Sequence, residues 1–196
     1  MARVGFLVGE MFEDSELRIP LDRLSEAGHE ILLIGEEAGL EVTGKNGVES
    51  VIIDVAVEDV DASQLDALVI PGGYSPDHLR ENEVVVDLIS DVYDLGRPLA
   101  AVCHGPSLFI DADILEGRTV TSWPSIKNDL INAGADWVDE EVVQDGTLIT
   151  SRNPGDLSVF CDAILQALGD ADVTDEDEPV ADADDDESPE LVDHVR

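Results

Sequence analysis

At 196 residues, with 43% hydrophobic and only 4% aromatic content, the chain has room for one domain built on an aliphatic core. Its 46 acids against 10 Lys and Arg leave a formal charge of −36 and no basic stripe to neutralise phosphates, which excludes nucleic-acid binding. No apolar run approaches the ~18 residues of a membrane span, and the opening MARVGFLVGE is too short and acid-closed for a signal peptide, so a cytoplasmic protein without membrane contact is expected.

RVGFLVG (3–9) predicts a short buried strand. EDSELRIPLDRLSEAGHE then carries Leu17, Leu21 and Leu24 at helical spacing and stops at Gly28, with Pro20 as a kink point. ILLIG is a second strand, and residues 40–57 hold short β-like pieces and turns. LDALVI is a further buried strand that runs into the turn PGGYSP. Residues 82–95 place Val85, Leu88, Ile89, Val92 and Leu95 on one helical stripe, closed by Gly96. LAAVC is a strand, with a helix expected over about 106–112 and another over PSIKNDLINAGA, ending at Gly134. VVQDGTLIT is a hairpin signalled by Asp145-Gly146, and Asn153-Pro154 opens a last amphipathic helix to about Leu168.

Strands alternate with helices, and several strands are apolar throughout. That is the signature of an α/β fold with a mostly parallel sheet covered by helices on both faces. Ligands in such folds bind beyond the carboxyl ends of the strands, where both PGGY and CHGP lie. The expected organisation is one α/β domain over 1–168 and a disordered acidic tail over 169–196, which has almost no large apolar residues. Without residues 170–196 the body still carries 33 acids and 9 bases, spread through the helices, with Lys45 and Lys127 as its only lysines. A body that acidic repels itself at low salt and points to a halophilic cytosol.

The two cysteines, Cys103 and Cys161, are expected to be free thiols. Cys161 shares a helical face with Leu157, Ile164 and Leu168 and reads as a core residue. Cys103 ends a five-residue strand and is followed by His104, Gly105 and Pro106. Free cysteine is most often a small buried hydrophobe. Here a strand-to-helix turn would set the sulfur near a helix N-terminus that lowers its pKa, with His104 as a base or cationic partner. A reactive role is therefore favoured over packing alone. GLEVTGKN (39–46) nearly matches a phosphate-cradling loop, but Asn46 stands where the Mg²⁺-binding hydroxyl belongs and Gly47 where the helix should start. A β-turn is expected instead. The four histidines are scattered, so neither a metal site nor another cofactor is expected.

EMFEDSELRIPLDRLSEAGHE, PGGYSPDHLR, AVCHGP and INAGADWVDEEVVQDGTLITSRNPGDL, in that chain order, resemble the ThiJ/PfpI family and its PfpI branch over about residues 3–168. The resemblance implies a flavodoxin-like three-layer sandwich with Cys103 as nucleophile on a strained elbow. It implies that Glu13 reaches the thiol and shares a proton with it, and that backbone N–H groups of the Gly72-Gly73 turn and of His104 serve as an oxyanion hole. It also implies a Cys103–His104–Asp77 triad completed across a subunit interface, in a dimer or hexamer. Aspartate at 77 is a methylene shorter than the glutamate often found there. His78 reads as a surface or interface residue. No histidine lies between His104 and His194, which excludes the amidotransferase arrangement of the same fold.

The implied activity is a cofactor-independent cysteine hydrolase, either a protein deglycase that also converts methylglyoxal to lactate or an intracellular peptidase. The dicarbonyl route asks less of Asp77. A different class also fits: a redox-sensing or chaperone-like stress protein working through an oxidisable Cys103.

Overall fold

The computed structural model describes residues 1–170, so the region expected to form the tail lies, apart from Gly169 and Asp170, outside the described residues. In chain order the elements are β1 (Arg3–Leu7), α1 (Asp14–Glu26), β2 (Glu30–Gly35), β3 (Glu41–Thr43), β4 (Ser50–Ile52), β5 (Val55–Ala56) and β6 (Ala67–Ile70). They continue with α2 (Ser75–Leu79), α3 (Glu83–Asp94), β7 (Leu99–Val102), α4 (Leu108–Asp111), β8 (Thr119–Val120) and α5 (Lys127–Asn132). β9 (Asp136–Trp137), β10 (Val142–Asp145), β11 (Leu148–Ser151) and α6 (Leu157–Ala167) complete the domain.

One seven-stranded sheet runs β10-β11-β7-β6-β1-β2-β5, with only β10 antiparallel. This is the expected α/β sandwich. The side chains of its strands alternate between two cores. Leu68, Ile70, Leu99 and Ala101 face α3 and α4, whereas Val69, Ala100, Val102 and Phe6 face α1 and α6. Both faces are apolar because both are covered, which is why these strands read as unbroken hydrophobic runs. Fully burying one such Val, Leu or Phe stabilises the fold by roughly 1.5–3 kcal/mol. Cys161 is fully buried on α6, as expected.

The order of the strands reverses beside β1: the chain lays β2 and β5 on one side of it and β6, β7 and β11 on the other. The crevice at such a reversal, beyond the carboxyl ends of the strands, is the natural ligand site of a doubly wound fold. Three segments leave the sheet there: Val8–Glu13 after β1, Pro71–Tyr74 after β6 and Cys103–Ser107 after β7. An isolated bridge, Phe12 to Gly73, stitches the first two together.

Several helices are shorter than their spacing predicts. The 106–112 segment is a 3-10 turn, Gly105–Ser107, followed by a single turn of α4. PSIKNDLINAGA is likewise a 3-10 turn, Pro124–Ile126, then the six residues of α5, because Gly134 at φ +93° ends it. Leu95 is half exposed rather than on the α3 stripe, since that helix ends at Asp94. Helix α2 winds where composition indicates only a turn. Of the segment 39–46, residues 41–43 form β3, and only its end enters the turn that closes the β3–β4 hairpin.

Candidate functional site

Strand β7 stops one residue short of its expected end, and Cys103 itself sits at φ +61°. A non-glycine residue there costs on the order of 1–3 kcal/mol and persists only where the surroundings over-determine it. Here they do. Cys103 N–H donates to Ser151 O at 3.0 Å, and Cys103 O accepts from Trp123 N–H at 2.9 Å. Gly72 and Gly73 leave no space on the other side: a Cβ on Gly72 would lie 2.8 Å from Cys103 Cβ and 2.9 Å from His104 N. The sulfur is thus pinned at the crevice and only 6% of the residue is exposed.

The carboxyl that meets the thiol is Glu16, which corrects the expectation for Glu13. Glu13 precedes α1, and its side chain, though buried, turns to the 45–46 turn. It pairs with Lys45 and accepts from Asn46 Nδ2 at 3.3 Å. Glu16 lies one turn later, on the stripe that buries Leu17, Pro20 and Leu24. It is fully buried, its Oε2 accepts from Gly72 N–H at 2.8 Å, and its carboxyl lies close enough to Cys103 for each group to shift the other's protonation. Its buried Oε1 has no hydrogen-bond partner. A glutamate falling on an otherwise apolar helical stripe was the signal in the sequence that marks it out.

Desolvation pushes the Glu16 carboxyl up to about 7, helped by the charge of Glu13 and opposed by the Gly72 N–H, Cys103 and Lys45. Burial, the Glu16 charge and the Glu16 hydrogen bond push the Cys103 thiol up to about 12. The backbone N–H groups of His104 and Gly73 act against that rise, because both point at the sulfur. Burial and the Glu16 charge therefore oppose the thiolate expected from a helix N-terminus. The helical segment that follows is too short and the pocket too dry.

His104 presents Nδ1 to Cys103 Sγ at 3.3 Å and Nε2 to Ser125 Oγ at 3.1 Å. Its ring tilts by 31° toward that of Trp123, with centroids 6.4 Å apart. Burial lowers its pKa, Asp77 works to raise it and Lys45 adds to the lowering. Asp77, exposed on α2, reaches His104 through its charge, and His78 beside it is exposed as well. Ser125 and Lys45 carry no chemical motif and were not legible from the sequence.

Lys45 rides on a turn clamped by Asp14. One carboxylate oxygen of Asp14 accepts from Val48 and Glu49 N–H, each at 2.9 Å, and the other from Asn46 N–H at 2.9 Å. Burial would raise the Asp14 carboxyl, but these amides together hold it below its ordinary value. Among the described residues no cluster of His, Cys, Asp and Glu has metal-binding geometry, and no helix is long and apolar enough to cross a membrane. The arrangement therefore offers a nucleophile, a proton-accepting carboxyl at neutral pH, an imidazole and two converging amides.

The family model described as DJ-1/PfpI matches residues 2–167. A deglycase of Pyrococcus abyssi is 48% identical over 166 residues, covering 85% of this chain and 99% of that protein. A Bacillus subtilis protein whose name provisionally makes it a cysteine protease is 47% identical over 158 residues, covering 81% of this chain and 93% of its own. Among solved structures, a two-domain protein of Anabaena variabilis with DJ-1/ThiJ/PfpI-like and ferritin-like domains superposes with a TM-score of 0.87 at 40% identity, over 91% of this chain and 52% of that one.

Proposed function

The chain belongs to the DJ-1/PfpI family, and from that premise we propose that it is a cysteine-dependent hydrolase of the PfpI type, acting on dicarbonyl adducts and free methylglyoxal. The observation that carries this reading is the Glu16–Cys103 pair: a strained, buried thiol beside a buried carboxyl whose pKa is raised to about 7. An ionised Glu16 takes the thiol proton as Sγ bonds to the aldehyde carbon, and the carbonyl π pair moves to oxygen. The N–H groups of Gly73 and His104 hold the sulfur and the nascent oxyanion beside it. The alkoxide is protonated to a hemithioacetal. The C1 hydrogen then leaves as a proton to the carboxylate and returns to C2 through an enediol, giving an S-lactoyl thioester. Water cleaves it to lactate and the free thiol, so the steps consume one water and draw on no cofactor.

Glu13 stays in the site at one remove, holding Lys45 and adding charge next to Glu16. Asp77 supports the charged form of His104, which peptide cleavage needs to protonate a leaving amine. The likeness to a Bacillus protein named for protease activity keeps peptides as the second substrate class. Redox sensing asks for a thiolate at rest, and the raised thiol supports it less. A halophilic cytosol and a dimer or hexamer complete the proposal, supported by the acidic body and by the resemblance.

The deciding experiment is lactate production from methylglyoxal in multimolar KCl by wild type and Cys103→Ala. Production that vanishes in the variant supports the dicarbonyl route. A folded wild type that makes no lactate moves the reading to peptides, which a fluorogenic peptide series would then resolve.

A further inference from the structure

The turn that carries Lys45 is stitched to the crevice on both sides of the lysine. Met11 N–H donates to Thr43 O and Lys45 N–H to Phe12 O, each at 2.8 Å. Phe12 in turn bridges to Gly73, one of the two residues whose amides act on Cys103. Asp14 closes the same turn through the amides of Asn46, Val48 and Glu49, so the Lys45 backbone is fixed to the loop that walls the nucleophile. Its ammonium pairs with Glu13, yet 34% of the side chain stays exposed. An ammonium has three N–H donors, and one carboxylate oxygen does not use them all. The charge itself acts on Cys103, Glu16 and His104 alike. The chain has one other lysine, Lys127, and that one lies over the Trp137 ring at 4.4 Å.

We infer that Lys45 is a specificity-determining residue, which receives a carboxylate at the far end of a 2-oxoaldehyde while the aldehyde carbon meets Cys103 Sγ. This rests on the proposed dicarbonyl chemistry and extends it from methylglyoxal to 2-oxoaldehydes that end in a carboxylate. A surface with 46 acids against 10 Lys and Arg turns anions away at low salt, so an anionic substrate needs a cation waiting at the thiol's own crevice. In concentrated salt the Debye length shrinks to about 3 Å and only that local charge is felt. A monoanion fits best. The ammonium is shared with Glu13 and the amides of its turn are already given to Asp14, which leaves too few donors for a dianionic phosphate. The chemistry at the other end is unchanged: Glu16 takes the thiol proton, the C1 hydrogen passes to C2, and one water releases a 2-hydroxydicarboxylate. The distal carboxylate is carried through intact.

The test compares 4,5-dioxopentanoate with its methyl ester, two substrates that differ in one charge at the far end, in about 2 M KCl. Wild type should favour the free acid in kcat/KM by roughly five- to tenfold. In Lys45→Met and Lys45→Gln that preference should disappear, and Lys45→Arg should keep most of it. Loss of the cation also moves the titration of Glu16 and His104, but it does so for both substrates and cancels in the ratio. Alkylation of Cys103 gives a readout that needs no turnover, because iodoacetate and iodoacetamide are nearly isosteric and differ in charge. The iodoacetate-to-iodoacetamide rate ratio should drop several-fold in Lys45→Met and hold in Lys45→Arg. A substrate preference that Lys45→Met leaves at its wild-type value overturns the inference, as does a wild type that prefers the ester. If wild type turns over neither methylglyoxal nor these two substrates, the dicarbonyl reading itself fails. The alkylation ratio then decides alone: a drop in Lys45→Met keeps Lys45 as the group that receives a carboxylate at the thiol, and an unchanged ratio removes it.

Discussion

Glu16 and Cys103 occupy one dry space, each opposing the other's ionised form, with Gly72 N–H fixing the Glu16 Oε2 oxygen at 2.8 Å. Two acids so placed do not both ionise, and the pair keeps at least one proton at neutral pH. Glu16→Gln keeps the shape and the bond to Gly72 but removes the proton acceptor. Turnover of methylglyoxal should drop by roughly 10²–10⁴, and the acid limb that wild type shows near the Glu16 pKa should vanish. Stability gives a second reading. The folded pKa of Glu16 is raised from 4.5 to about 7, so its contribution is fully present below 4.5 and is lost as pH rises through about 7. Between about pH 4 and pH 8, urea unfolding should move in favour of Glu16→Gln by up to roughly 3 kcal/mol relative to wild type. A parallel pH dependence in both proteins would sink the assignment.

Gly73→Ala tests how tightly the crevice is built. Gly73 is at φ +79°, and a Cβ there would lie 2.5 Å from Met11 O and from Glu13 N. These are backbone atoms of the loop it bridges, and they have nowhere to go. The substitution should destabilise by roughly 2–4 kcal/mol and abolish activity even where the protein remains folded. Chemical denaturation, followed by alkylation of Cys103 under native conditions, separates the two effects.

The sheet was legible because its strands advertise their burial: ALVI and LAAV are apolar on both faces, and each is fully buried. The nucleophile was legible for a local reason, since a strand that ends at Cys-His-Gly-Pro has to turn there. The carboxyl was not. Glu13 and Glu16 differ by three residues on a chain of 46 acids, and only the phase of α1 turns one to the thiol and the other to Lys45. Ser125 and Lys45 reach the site from distant turns, so their roles depend on tertiary hydrogen bonds that no spacing encodes.

Lys45→Met removes a cation that lowers both Glu16 and His104. Both groups should titrate at higher pH in the variant. The acid limb of the rate profile should therefore move upward, while Lys45→Arg should leave it near its wild-type position. Unchanged limbs in Lys45→Met would show that the Glu13–Lys45 pair is only structural.

Asp14 reaches the same turn through three amides. Asp14→Asn loses one of its two accepting oxygens and should cost about 1–3 kcal/mol at neutral pH. The folded carboxyl is held below 3.8, so its stabilisation is present above that value and disappears as pH falls through the folded pKa. The gap between wild type and variant should accordingly close on acidification. A gap that stays constant down to about pH 2 would mean the carboxylate charge is not what holds the turn.

The last prediction concerns the charge itself. Arg18, Arg23, Arg80 and Arg152 are each already engaged by at least one carboxylate, and Lys45 by Glu13. Arg3, Arg97 and Arg118 are paired as well, which leaves most acids of the described residues with only solvent cations to screen them. The Debye length falls from about 10 Å at 0.1 M salt to about 3 Å at 1 M, which is shorter than the usual spacing of surface carboxylates. Thermal stability should therefore climb steeply between about 0.1 and 2 M KCl, and any oligomer should be tightest at the top of that range. Scattering across the same KCl series reads size directly. A melting temperature and a size that both stay flat would mean that self-repulsion is not what this surface is adapted to overcome.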